Sequence, residues 1–188
     1  MANKVEFGIE NLHVGTYSVS DQGVVTMGTP YHQKGAVSFS PEEQSEKNTF
    51  YADNTEYWSG YSGGTQEGDL TVALFDDNFK KQFLGYKKLT NGGLAQIKGA
   101  IKPNVYIAFQ VKGDVEERRV IYYNCSLGGI TREYSTIEES QEPATETIPV
   151  TATGDNETGV TQATFYKTDA GYSTLFTNPS APVVESDS

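Results

Sequence analysis

Glycine cuts this sequence into short pieces, and that limits what it can fold into. The 188 residues include 19 glycines, and the runs between them alternate with a period of two. Asn11–Ser20 places Leu12, Val14, Thr16 and Ser18 on one side. Asn104–Lys112 does the same with Val105, Ile107, Phe109 and Val111. Such alternation describes strands with one buried face. Asp21-Gln22-Gly23, Asn91-Gly92-Gly93 and Gly113-Asp114 are the turns between them. The 12 tyrosines and 9 phenylalanines, with abundant Thr and Val, suit a pleated backbone. The expected fold class is therefore all-β.

One segment departs from this rhythm. Asp76–Leu84 has an aspartate able to cap a helix, Phe79 and Phe83 four residues apart, and Gly85 to close it. It predicts one short helix flanking the strands. Gly35–Ser40, Thr49–Ala52, Leu70–Phe75, Arg118–Ser126 and Val160–Tyr166 read as further strands. Val120-Ile121-Tyr122-Tyr123 is apolar enough to be covered on both faces. Met1–Glu10 reads as an N-terminal arm, residues 11–176 as a single domain, and 177–188 as a loose tail.

Two segments have unusual chemistry. Thr131–Gly154 reads as two strands joined at Gln141-Glu142-Pro143, with Glu133, Glu138, Glu139, Glu142 and Glu146 opposed only by Arg132. It has few apolar residues to hold such a ribbon to a core. Asp53–Asp69 sets Tyr57, Trp58 and Tyr61 among Gly60, Gly63, Gly64 and Gly68. A loop or long hairpin of that length is usually functional, and exposed Tyr and Trp make good interface anchors.

Charge and motifs remove several function classes. A net charge of −11 argues against nucleic-acid capture, which needs basic phosphate contacts. The single cysteine, Cys125, permits no internal disulfide and no cysteine zinc cage. It fits folding in a reducing cytoplasm, as does the lack of an apolar signal-peptide region in the first 15 residues. Gly60-Tyr61-Ser62-Gly63-Gly64 matches a nucleophile elbow in letters only. Both histidines, His13 and His32, precede the serine, and no helical run follows it. The carboxylate pairs Asp76-Asp77, Glu116-Glu117 and Glu138-Glu139 lack the spacing of a calcium loop. Neither an enzyme nor a cofactor is expected.

Several segments, in order, resemble the major tail tube proteins of long-tailed phages of Gram-positive bacteria, the phi13-type major tail protein family. They are Lys4–Gly8 with Asn11-Leu12, Gly35–Ser38, Thr49–Asn54, Glu67–Leu70, Arg118–Cys125, and Ser135-Thr136 through Thr145–Thr147 to Thr151-Ala152. The resemblance implies a β-sandwich with one flanking helix. It implies hexameric rings stacked into a tube, with four strands per subunit joining an acidic inner barrel. It further implies that DNA passes through this lumen during genome ejection without specific binding. Implied partners are further copies of the chain, a tape measure protein in the lumen, and tail terminator and distal tail or baseplate proteins. The implied location is the virion tail, assembled in the host cytoplasm without membrane involvement.

On this basis Ala36–Ala52 and Arg132–Ala152 are the expected lumen strands. The lumen-facing acids are then Glu43, Glu46, Glu138, Glu142 and Glu146, and residues 53–69 form an inter-ring loop anchored by Tyr57, Trp58 and Tyr61. Two rivals share these features. One is a tube subunit of a contractile tail or tailocin. The other is a monomeric carbohydrate-binding β-sandwich that uses the same aromatics as a sugar platform.

Overall fold

The computed structural model describes residues 8–52, 55–134 and 143–185, and all of their side chains except those of 50–52, 55–58 and 61. In chain order the elements are β1 (Gly8–Val19), β2 (Val25–Met27), β3 (Tyr31–His32), β4 (Ala36–Ala52) and β5 (Thr55–Val72). The helix α1 (Asp77–Phe83), β6 (Lys87–Lys88) and β7 (Leu94–Ala95) follow. The chain continues with β8 (Val105–Lys112), β9 (Arg119–Leu127), β10 (Thr131–Arg132), β11 (Glu146–Ala152) and β12 (Gln162–Phe165). Strands with one short helix are what the alternation predicts.

One sheet holds ten of the strands, in the order β2-β1-β8-β9-β11-β5-β4. Strand β3 adds to β1, β10 to β11 and β12 to β9, while β6 and β7 form a separate small hairpin. The large sheet folds over on itself. Phe39 of β4 packs edge-on against Phe109 of β8 and Tyr122 of β9, with ring centroids 5.9 and 5.1 Å away. The layers thus face each other as a β-sandwich. Between them lie Leu12, Val14, Leu70, Val72, Val105, Ile107, Ile148 and Val150. The helix closes one end, inserting Phe79 and Phe83 into the same core beside Phe75, which precedes its cap. Asp76 caps it, accepting from the Phe79 amide at 2.8 Å, and Gly85 follows the last turn at φ +71°.

Strands β8 and β9 are covered on both faces, where the alternation of β8 predicts one. Tyr106, Ala108, Ile121 and Tyr123 face a second core with Tyr17 and Leu175. The chain after β12 folds over this side. Arg119 lies between the rings of Tyr172 and Phe176, 3.9 and 4.3 Å from their centroids. The Phe176 ring also stacks on His13, which stacks on His32. The two histidines are therefore packing residues.

Two asparagines reset the strands. Asn11 and Asn124 adopt φ of +54° and +49°, a left-handed conformation that asparagine tolerates. Each sits at a register shift, within β1 and opposite Val105–Ile107 of β8. The bulge at Asn124 switches β9 between faces. Tyr122 and Cys125 thus share the first core, whereas Tyr123 points to the second. The Asn124 amide is used up internally, donating to the Gly154 carbonyl at 2.9 Å and accepting from Asn104 at 2.7 Å. Cys125 is fully buried, and burial raises its thiol pKa. It is a packed residue and not a reactive one.

The structure corrects three expectations. Gly8, Ile9 and Glu10 are not part of a free arm but pair with Lys112, Val111 and Gln110 of β8. The polar run Pro41–Asn48 does not interrupt its strand, because β4 continues through it. Among the described residues the first arm of the ribbon from Thr131 is β10, Thr131–Arg132, and its second arm, β11, is a core strand with Ile148, Val150 and Ala152 buried.

Glu146 is also buried, at 3% exposure. One carboxylate oxygen accepts from the Phe75 amide at 2.7 Å. The other accepts from Lys80 and Arg132, both at 3.2 Å. Glu146 thus joins β11 to the helix and to β10. Replacing Glu146 with Ala would leave two cations and a buried amide unmatched. The expected loss is about 3–5 kcal/mol, read by denaturant unfolding.

Asp155 accepts from the Tyr17 hydroxyl and from Thr158 through both its amide (2.8 Å) and its hydroxyl (2.7 Å). Burial alone would raise its pKa, but these hydrogen bonds outweigh burial and hold it below the usual value. Its contribution to stability is therefore present above the unfolded aspartate value of about 3.9. It is lost as pH falls below that value through the lowered folded one. Asp155→Asn should make the acid-side fall in melting temperature shallower, and an unchanged pH profile would count against this account.

Candidate functional site

The described residues offer no catalytic centre. Ser62 lies mid-strand in β5 opposite Glu46, and its hydroxyl accepts from Asn48 at 2.7 Å. It has neither the sharp strand-to-helix turn nor the histidine that a nucleophile elbow needs. Among the described residues, no group of three or more His, Cys, Asp or Glu is arranged to hold a metal. The informative feature is a surface.

That surface is the outward face of β4, β5 and β11. Strand β5 is the middle of the three, paired with β11 on one side and β4 on the other. The pairings Phe39↔Leu70 and Leu70↔Ile148 carry the side that enters the core. Side chains alternate along a strand, so the opposite face is defined. On β4 it carries Ser38, Ser40 and Glu42. On β5 it carries Thr71, Asp69 and Glu67. On β11 it carries Thr147, Pro149 and Thr151. Thr71 and Thr147 share a hydroxyl hydrogen bond of 3.0 Å across the strands. None of these positions holds Lys or Arg.

The acids are exposed and arranged against their own repulsion. Glu42 stands directly opposite Glu67, and Asp69 stands one cross-strand position further along, opposite Ser40. All three are exposed. Two like charges across an antiparallel pair destabilise it. The subunit therefore tolerates a small cost to keep this face negative.

Beyond the Gln66↔Ala152 rung, β5 leaves β11 behind. Strands β4 and β5 continue alone as a hairpin, with bulges near Gln44 and Phe50. Gly64 sits at the first bulge with φ +145°, a conformation that a side chain would strain. Its carbonyl accepts from Thr161 at 2.8 Å. An open groove of about 550 Å³ lies where the hairpin departs, bordered by Ser45, Gly63, Thr65, Thr153 and Thr161.

Among the expected lumen acids, Glu46 lies on the same strand face as Glu42 and is exposed. Glu43 is exposed but points to the other face, opposite Gln66. Glu146 is removed from the group, since it is buried and bonded to Lys80 and Arg132 within the chain. Glu138 and Glu142 lie outside the described residues. Tyr57, Trp58 and Tyr61 belong to β5, so residues 55–69 form a strand and not a loop; their side chains lie outside what is described. Glu42, Glu67 and Asp69 were missed as members of the face. Their signal was present in the sequence as alternation, with Ser38, Ser40 and Glu42 at every second position.

The chain matches a family described as phage tail tube protein over residues 2–173. No curated protein matches it significantly. Among solved structures it is similar to the anti-feeding prophage cap, a tube terminating cap, with TM-score 0.50 and 12% identity, covering 88% of this chain and 96% of that one. A second match is the sheath–tube complex of an extracellular contractile injection system, with TM-score 0.44 and 14% identity, covering 86% and 94%. At 12% identity the likeness to the cap concerns the fold alone.

The isolated subunit offers a direct test of the opposed acids. Glu42→Gln should stabilise it by up to about 1 kcal/mol, seen as a raised denaturation midpoint. A decrease would mean that Glu42 has a favourable partner within the subunit.

Proposed function

This chain belongs to the phage tail tube protein family, and from that premise we propose that it is the major tail tube subunit of a long, non-contractile phage tail. In this reading the phage is of the phi13-type group infecting Gram-positive bacteria. Six copies form a ring, and rings stack into the tube. The outward face of β4, β5 and β11 lines the lumen, with Glu42, Glu46, Glu67 and Asp69 as its acids. A tape measure protein fills the lumen until DNA replaces it. Terminator and distal tail proteins close the two ends.

A single observation supports this most: among the described residues, a cation-free polar sheet face is bounded by an unpaired edge. Among the described residues, strand β4, Ala36–Ala52, is hydrogen-bonded to β5 along one side only. A long open edge invites pairing with another chain. Joining such edges around a ring closes the barrel and removes them. A wall of hydroxyls and carboxylates then gives phosphates no ion pairs, so DNA moves through without adhering.

Negative-stain microscopy of the concentrated protein, with and without tail-tip complexes as seeds, tests the assembly. Rings or tubes are expected, and a chain that stays monomeric even when seeded would overturn the reading. The lumen assignment has its own test. Virions carrying Glu42→Lys, Glu67→Lys and Asp69→Lys should assemble but release DNA slowly or stall. Normal ejection would place these acids elsewhere.

A further inference from the structure

Asn91 is the only asparagine of the chain that is followed by glycine. It lies in the turn of the small hairpin β6–β7, within Asn78–Gly113, a stretch with seven of the 14 cations and none of the 25 acids. The turn explains both residues. The Gly92 amide donates to the Leu89 carbonyl at 3.0 Å, and the Leu89 amide donates to the Gly93 carbonyl at 2.6 Å. This is a three-residue hairpin loop, in which a residue in the left-handed region closes a β-turn. Gly92 is that residue, at φ +97°, where a side chain would be strained. Asparagine is a favoured turn residue just before it.

The same pair is chemically vulnerable here. Asn91, Gly92 and Gly93 are exposed, and nothing lies within 4 Å of the space a Gly92 side chain would take. The Asn91 carboxamide makes no hydrogen bond among the described residues. Other asparagines are held or shielded. Asn48 donates to Ser62, Asn104 to Asn124, and Asn124 to Gly154 and Asn156. Asn78 lies in α1, and Asn178 precedes Pro179, whose nitrogen carries no proton.

One restraint remains, the bond from the Gly92 amide to Leu89, and it is weakly enforced. Strands β6 and β7 have two residues each and form a sheet of their own. A two-stranded hairpin is marginal in water, so this one opens far below the cost of global unfolding. The exposed Lys87 and Lys88 on the arm before the turn favour the deprotonated form of a nearby amide.

We propose that Asn91 is a site of spontaneous deamidation, in which the Gly92 backbone nitrogen closes a succinimide ring on the Asn91 side chain. The Gly92 nitrogen loses its proton and bonds to Cγ of Asn91. The bond from Cγ to Nδ2 breaks, and the nitrogen leaves as ammonia with the proton it gains. Water then opens the ring. Addition at Cγ gives aspartate, and addition at the main-chain carbonyl gives isoaspartate, with the backbone running through Cβ. No oxidant or reductant is involved, and nothing is needed from other copies of the chain. Either product puts the first carboxylate into the basic stretch. The isoaspartate also adds a backbone atom to the turn, which breaks the pairing of Leu89 with Gly93.

The test incubates the full chain at physiological temperature in mildly acidic and mildly alkaline buffer. Trypsin cleaves after Lys88 and Lys98, so Leu89–Lys98 is released as one peptide with a single asparagine. Chromatography with fragment mass spectrometry separates the amide, aspartate and isoaspartate forms. Both acids should accumulate at Asn91, faster in alkali, while peptides carrying Asn48, Asn104 and Asn124 keep their amides. Gly92→Ala should slow the conversion by roughly tenfold or more, because a Cβ crowds the attacking nitrogen. Asn91→Ser should give no new acid in the peptide, and circular dichroism checks that both variants fold. An Asn91 amide that lasts as long as the other asparagines overturns the site. Aspartate without isoaspartate, or a rate indifferent to pH and to Gly92→Ala, overturns the ring and points to direct hydrolysis.

Discussion

The buried carboxylate of Glu146 is the contact on which the rest of the arrangement depends. It holds the Phe75 amide, Lys80 and Arg132 in one cluster. A charge removed from water is tolerated only when paired and hydrogen-bonded, so its partners are fixed with it. The helix is tied over the end of the core, and β10 is tied to β11. It also fixes which side of β11 faces inward. Because side chains alternate, Glu146 inside means that Thr147, Pro149 and Thr151 are outside. Glu146 thus joins Ile148, Val150 and Ala152 in setting which face of the sheet is polar.

That face continues across β5 and β4, where the core side has Leu70 and Phe39 and the outer side has Asp69, Glu67, Ser40 and Glu42. The sheet therefore has two different surfaces. One is an aliphatic and aromatic core, and the other is hydroxyl-rich, acidic and free of cations. A monomer gains nothing from opposing Glu42 and Glu67 across a strand pair. The cost is intelligible if the face works in an assembly, with β4 offering its open edge to a neighbour. The far side of the sandwich has no such freedom. Strands β8 and β9 are buried on one face by the sandwich core and on the other by the chain beyond β12.

Much of the architecture was legible in the sequence. Period-two alternation gave the strands, glycine gave the turns, and Asp76, Phe79, Phe83 and Gly85 gave the helix and its ends. These signals are local, since they depend on residues within one turn or one strand. Signals that failed depended on what lay across the sheet. Alternation in β8 could not show that Tyr106 and Ala108 would find a second core. The bulge at Asn124 could not be read from an apolar run, because it exists only in register with β8.

The acidic segments show the same division. The sequence alone determined that this chain is a β protein with one helix and an excess of acid concentrated in two segments, because composition and spacing are properties of the chain. Only the tertiary structure decided what each acid does. Glu146 and Glu42 look alike in the sequence, both on strands rich in Thr and Ser. Pairing with β5 turns Glu146 toward Lys80 and Arg132 and turns Glu42 toward solvent opposite Glu67. The physical reason is the two-residue pleat, in which a shift of one position reverses the face. Register, fixed by contacts distant in sequence, separates an acid that holds the fold from one that faces outward.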